Sequence, residues 1–228
     1  MARPKGEGPS LSAEALRRTL GREEFDYVAL LDALKGYAKP RSKVTALLRQ
    51  QGIVRVKKGL YVFGPHVRRR SFSLEILANT IYGPSYLSFE FALAHYGLIP
   101  EAVAEVTSAS LGRNKRFDTP VGRFTYRAVP ERVFWTGVDR VDLDHGGACL
   151  MATREKALAD LLYAARGQRW DSPREMMTHL VDSLRIDEDA LLALDPKRLE
   201  SIADRYGSRR VSLLPGAVAL LRRELSHE

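Results

Sequence analysis

The stretch KPRSKVTALLRQQGIVRVKKGLYVFG, Lys39 to Gly64, constrains the fold most, because its apolar period changes from helical to strand-like within a few residues. Pro40 suits the first turn of a helix, where a missing N–H costs nothing. Val44, Leu47 and Leu48 recur at helical spacing and predict one buried stripe, while Arg41, Thr45 and Arg49 fall on a polar face. Gln50-Gln51-Gly52 ends the run, with Gly52 expected to take the left-handed conformation of a helix C-terminus. Val54 and Val56 then alternate with Arg55 and Lys57 as in a strand, and Lys58-Gly59 reads as a two-residue turn in which Gly59 supplies a positive φ. That register sets Val56 opposite Tyr61 and Val54 opposite Phe63, leaving a hairpin with one apolar face and a tip of Lys57 and Lys58.

A basic helix followed by a basic-tipped hairpin is a winged helix-turn-helix in outline: the helix enters a major groove and the wing touches phosphate. The expected DNA-contacting residues are Arg41, Ser42, Lys43, Thr45, Arg49, Arg55, Lys57 and Lys58, with backbone contacts from Arg68, Arg69 and Arg70. The plainer alternative is a helix and hairpin that cap a larger domain, their charges a solvated face. Charge distribution weighs against it. Up to Arg70 there are sixteen Lys and Arg against six Asp and Glu, a surplus of +10; the remainder has twenty against twenty-two, or −2, within a total of +8. The whole positive excess lies in the segment holding the helix and hairpin, the footprint of a polyanion-binding module.

At 228 residues the chain has room for two modest domains. The expected class is α+β: a disordered arm over 1–10, a winged helix-turn-helix over 11–70, and a C-terminal domain over 71–228 with a small mixed or antiparallel sheet and several helices. In the first domain, Leu11–Leu20 is expected as a short helix capped by Ser10 or Ser12. Phe25–Tyr37 is expected as a longer one, with Leu30, Leu34 and Tyr37 in a row and Val28 and Leu31 beside it. Beyond Ser71, a helix should end at Gly83-Pro84, and Ser85 should cap another with Leu87, Phe91 and Ala94 inward. Strands are expected at Val103–Ser110, Arg123–Val129, Val133–Thr136 and Val138–Leu143, with a turn at Pro120-Val121-Gly122. Helices follow at Met151–Ala165 (capped by Thr153), Pro173–Leu184, Asp187–Leu194, Pro196–Tyr206 and Pro215–Leu225. A lone Cys149 forms no intrachain disulfide and reads as a small buried hydrophobe, which fits a reducing cytoplasm. The segment MARPKGEGPS has no apolar core of a signal peptide, and no run approaches the ~20 residues of a membrane span.

Several blocks in order carry a family likeness. RVKKGLYVFG, then GPSYLSFEFALAHYGLIPE, FDTPVGRFTY and LMATREKALADLLY resemble the AbiEi antitoxins of bacterial type IV toxin–antitoxin systems, over roughly Phe25 to Tyr163. The residues before Phe25 and the helices after Gln168 match no pattern of that family. The resemblance implies a cytoplasmic DNA-binding repressor that binds inverted repeats in double-stranded operator DNA, silences its own operon, and counters a nucleotidyltransferase-like toxin, AbiEii. It implies no enzyme activity and no cofactor.

Two acidic clusters suggest other chemistry. Glu155, Lys156 and Asp160 are enzyme-like in composition. A metal-dependent nuclease, however, would place an acid and then Glu-x-Lys on a strand, and Lys156 and Asp160 at i,i+4 on a helix can simply pair. Asp142 and Asp144, alternate residues of an expected strand, could hold Mg²⁺ as in a nucleotidyltransferase, but no Gly-Ser element precedes them, and Asp139 nearby makes a solvated acidic edge the simpler reading. The five histidines at 66, 95, 145, 179 and 227 show no metal-ligand spacing, and His95 is expected partly buried. A metal-dependent nuclease or nucleotidyltransferase, and an RNA-binding interaction module, stand as the alternative functions.

Overall fold

The computed structural model describes residues 12–144 and 146–226, so the expected disordered arm, His145 and His227 lie outside the described residues. The chain is α+β and divides into two compact units. The first comprises the described residues up to Leu77 together with Thr119–Val121, the second Ala78–Asp118 and the chain from Gly122 onward. The division falls inside a helix, Leu74–Ile81, rather than at Arg70. Among the described residues no helix is long and apolar enough to cross a membrane.

In the first unit the order is α1 (Ala13–Leu20), β1 (Glu24–Asp26), α2 (Tyr27–Ala33), α3 (Pro40–Arg49), β2 (Ile53–Lys57) and β3 (Leu60–Phe63). The Ser12 side chain accepts from Ala15 N to cap α1, and Gly21 closes it in the left-handed conformation. The expected helix Phe25–Tyr37 is corrected at both ends: α2 stops at Ala33, and its start lies past a strand. Glu24–Asp26 pairs antiparallel with β3, and Asp26 then caps α2 by accepting from Ala29 N at 2.7 Å. Phe25 is drawn into the core, its ring centroid 4.7 Å from that of Phe63. Leu30 and Leu34 are fully buried as expected, whereas Val28 is 75% exposed.

The three strands lie in the order β1-β3-β2. With neighbours on both sides, β3 buries all four residues from Leu60 to Phe63. The expected hairpin register holds only at the turn. Lys57 pairs with Leu60 around Gly59 (φ +88°), and then a bulge at Val56 shifts Arg55 opposite Tyr61, Val54 opposite Val62 and Ile53 opposite Phe63. Ile53 and Val56, on the two sides of the register shift, are both buried, and Ile53 joins Phe25, Tyr61 and Phe63 in the core of the unit. At the end of α3 the left-handed residue is Gln51 (φ +54°), not Gly52. Gly52 N donates to Leu47 O and Gln51 N to Leu48 O, the Schellman pairing. Gly52 and Gly64 are required by close approach instead. A Cβ on Gly64 would stand 1.9 Å from Gln51 O, and one on Gly52 2.9 Å from the Ala13 Cβ.

The second unit is built on a six-stranded mixed sheet in the order β6-β7-β5-β4-β9-β8. Its strands are β4 (Ser85–Leu87), β5 (Glu105–Ser110), β6 (Lys115–Thr119), β7 (Gly122–Ala128), β8 (Val138–Asp142) and β9 (Ala148–Ala152). The β5–β7 and β4–β9 pairs are parallel, β4–β5 and β8–β9 antiparallel. Four expectations are corrected here. Ser85–Leu87 is a strand, with Ser88 at the N-cap position of α5 (Phe89–His95). That helix buries Phe89, Ala92 and Leu93 rather than Phe91 and Ala94. Glu131–Val133 is a 3-10 turn, and Met151 and Ala152 end a strand instead of starting a helix.

With α4 (Leu74–Ile81) preceding the sheet, the remaining helices are α6 (Arg154–Ala164), α7 (Pro173–Thr178, continuing into a π turn at His179–Ser183), α8 (Glu188–Leu192), α9 (Pro196–Tyr206) and α10 (Arg209–Leu225). Thr153 caps α6 as expected, accepting from Lys156 N, and Ser172 accepts from Glu175 N and Asp187 from Ala190 N to cap α7 and α8. The last helix begins before Pro215, which sits inside it. α6 packs against α5, α9 and α10 and buries Glu155 through Asp160 without a break. A helix covered on all sides has no solvent face, so its polar residues must find partners within the core.

Candidate nucleic-acid interface

α3 places Val44 and Leu47 in the core of the first unit and leaves Arg41, Ser42, Thr45 and Arg49 exposed, with Lys43 half-buried. The split follows from the period: residues four apart lie on one face, and the burial of Val44 and Leu47 turns that face outward. Thr45 Oγ1 donates to Arg41 O at 3.2 Å. The Lys43 ammonium lies 5.7 Å from the Tyr37 ring centroid. At the hairpin, Arg55 and Lys58 are exposed and Lys57 half-buried.

The start of α3 holds two further cations that helical periodicity did not single out. Leu31, Lys35, Lys39, Pro40, Arg41 and Ser42 enclose a shallow cavity of about 500 Å³. Lys35, from the turn after α2, pairs with Asp32 at 3.2 Å, and Lys39 precedes α3, so Lys39 and Arg41 stand at a helix N-terminus whose first turn has no acid. The favourable dipole there adds to their attraction for an anion. In the sequence these charges read only as composition.

The arginine run is fastened to its own unit rather than loose. Val67 N and Arg68 N both donate to Gly64 O at 3.0 Å, and Arg69 N donates to Glu23 Oε1 at 3.2 Å. The Arg68 guanidinium lies 5.4 Å from the Phe72 ring centroid. The side chains of Arg68, Arg69 and Arg70 are exposed.

The enzyme-like residues of the second unit are split between core and surface. Lys156 Nζ lies 2.8 Å from Asp160 Oδ1, and both side chains are fully buried. Asp160 also accepts from Tyr206 OH through Oδ1, and from Tyr86 OH at 3.0 Å and Ser88 Oγ at 2.6 Å through Oδ2. Lys156 Nζ lies 3.0 Å from Tyr206 OH and 4.6 Å from that ring's centroid. Burial pushes the Lys156 ammonium down and Asp160 opposes it. Burial, reinforced by the Asp160 charge, pushes the Tyr86 and Tyr206 phenols far above their ordinary range. Every acceptor site of the carboxylate is matched to a donor, the arrangement of a satisfied core cluster. Glu155, also buried, accepts from Asp195 N at 3.0 Å and holds the start of α9.

Asp142 is exposed and pairs with Arg140 at 2.7 Å, while Asp144 lies beyond the end of β8, so the two do not share a strand face. His95 is exposed, not partly buried, with its ring against Tyr96. Cys149 is buried on β9. Among the described residues no group of three or more His, Cys, Asp or Glu is placed to hold a metal ion. The chain matches no model of a known protein family, and a search of curated proteins finds no significant match.

Proposed function

We propose that the chain is a sequence-specific DNA-binding repressor whose first unit is a winged helix-turn-helix: α2 and α3 form the helix pair, α3 the recognition helix, and the β2–β3 hairpin the wing. The observation that carries the reading is the exposed row Arg41, Thr45 and Arg49 on a helix that leads directly into a hairpin tipped by Lys57 and Lys58. The +10 surplus up to Arg70 supports it. Together with the family likeness of the sequence, it makes the chain the antitoxin of a type IV system, a cytoplasmic protein that represses its operon and counters a nucleotidyltransferase-like toxin. On this reading the chain is no enzyme, since Lys156 and Asp160 are enclosed and mutually satisfied.

The division of labour is testable. Arg41 and Arg49 suit bidentate contacts to guanine, each worth ~1–3 kcal/mol of discrimination. Lys57 and Lys58 suit phosphate, and losing one such contact flattens the log-affinity against log-salt slope by roughly 0.9. The experiment is a salt titration of Arg41→Ala, Arg49→Ala, Lys57→Ala and Lys58→Ala on the duplex upstream of the chain's own gene and on random duplex. The arginine changes should lower the specific-to-random ratio, while the lysine changes should weaken both duplexes alike. Loss of discrimination from the lysine changes alone would make the hairpin the reader and refute the placement of the recognition helix.

A further inference from the structure

The second unit carries a cationic cleft that lies outside the proposed DNA interface. A cavity of about 960 Å³ is lined by Lys115 and Arg116 from β6, Arg127 from β7, Arg166 just past α6, and Arg209 and Arg210 at the start of α10. Among the described residues no aspartate or glutamate lines it. Three of the six cations also pair with acids outside the cleft: Arg127 with Glu90 at 3.0 Å, Arg116 with Asp118 at 3.4 Å and Arg209 with Asp171 at 3.5 Å, although Asp118 is shared with Arg123 and Asp171 with Arg169. Lys115 and Arg166 have no ion-pair partner among the described residues. Arg210 pairs with no acid among the described residues and donates to Tyr163 O at 3.3 Å. At least three positive charges therefore converge on a concavity of the size of a small-ligand site. α10 begins at the same cleft, with no acid in its first turn and no side-chain cap on its N–H groups, so its dipole adds to the potential.

We propose that this cleft binds a run of about three phosphates, supplied either by a nucleoside triphosphate or by a single nucleic-acid strand. Lys115 from β6 and Arg166 from the chain just past α6 hold the anion, with Arg210 and the start of α10 in the same lining. Phosphate oxygens suit both a guanidinium fork and a flexible ammonium.

The test is calorimetric titration of the full chain with inorganic triphosphate, with thermal melting followed in parallel, because a ligand of the folded state raises the melting temperature. The Lys115→Gln/Arg166→Gln double variant should bind at least about tenfold more weakly, as expected for two lost charge-assisted contacts. The control Arg140→Gln, on the strand at the other edge of the sheet, should bind as the parent does. Protection of Lys115 from an amine-reactive label by triphosphate gives a second readout that needs no variant. Displacement by a short single-stranded oligonucleotide identifies a strand as the source, and displacement by nucleoside triphosphates alone identifies a free nucleotide. No binding at millimolar triphosphate, unaltered affinity in the folded double variant, or an unprotected Lys115 would overturn the proposal. Duplex binding by the first unit is read separately and does not depend on any of these outcomes.

Discussion

Replacing Asp160 by asparagine isolates what the buried cluster does. The carboxylate accepts from Lys156, Tyr206, Tyr86 and Ser88. An asparagine keeps the shape but turns one acceptor into a donor. The hydroxyls of Tyr86 and Ser88 can rotate to accept from it, whereas the ammonium of Lys156 has only donors. The damage therefore concentrates on a fully buried cation left without its counter-charge. Breaking a buried pair in this way costs about 3–5 kcal/mol. In a unit of this size that lowers the melting temperature by roughly 10 °C. Lys156→Met should cost less, roughly 1.5–3 kcal/mol for the lost charged contacts, because three hydroxyls still serve the carboxylate. The double variant has no buried charge, so its loss should fall short of the sum of the single losses by about 1–3 kcal/mol. Tryptophan fluorescence reports the second unit specifically, since the only two tryptophans, Trp135 and Trp170, lie there. Asp160→Asn melting within about 2 °C of the parent, or strictly additive losses, would refute a structural role for the pair.

Further expectations follow from the first unit and from α7. Gly64→Ala drives a Cβ into Gln51 O at 1.9 Å and should destabilise the junction of α3 with the hairpin by about 3 kcal/mol or more, read as lost amide-exchange protection in β3. Gln51→Gly relieves a left-handed non-glycine residue and should stabilise the same unit by roughly 0.5–1 kcal/mol in denaturant titration. His179 packs on Trp170 at 4.6 Å, and burial holds its pKa below the ordinary 6.5. The folded state thus binds fewer protons than the unfolded one between that depressed value and 6.5, so stability falls as the pH drops through this window and levels off below it. His179→Phe should flatten the slope there, measured by melting between pH 5 and pH 7.5 (about the range in which histidine titrates).

Local chemistry alone determined much of the secondary structure. Pro40 at the head of α3, Gly59 in the hairpin turn, Thr153 before α6 and Asp187 before α8 act within one turn of chain, so their effects are legible without the fold. The same holds for the faces of α3, where burial of Val44 and Leu47 leaves Arg41 and Arg49 no other direction. The errors fall where pairing over distance outweighs local preference. Glu24–Asp26 is a strand because it pairs with β3, and the bulge at Val56 arises where β2 pairs with the other edge of that central strand. Lys156 and Asp160 were readable as an i,i+4 pair, but whether they met in water or in the core depended on α5, α9 and α10 closing around α6. The cationic cleft was not readable at all, because Lys115, Arg166 and Arg210 belong to three elements far apart in sequence. Their convergence follows from β6 forming an edge of the sheet and α10 packing on α6, an arrangement set by burial of apolar surface that no short-range pattern encodes.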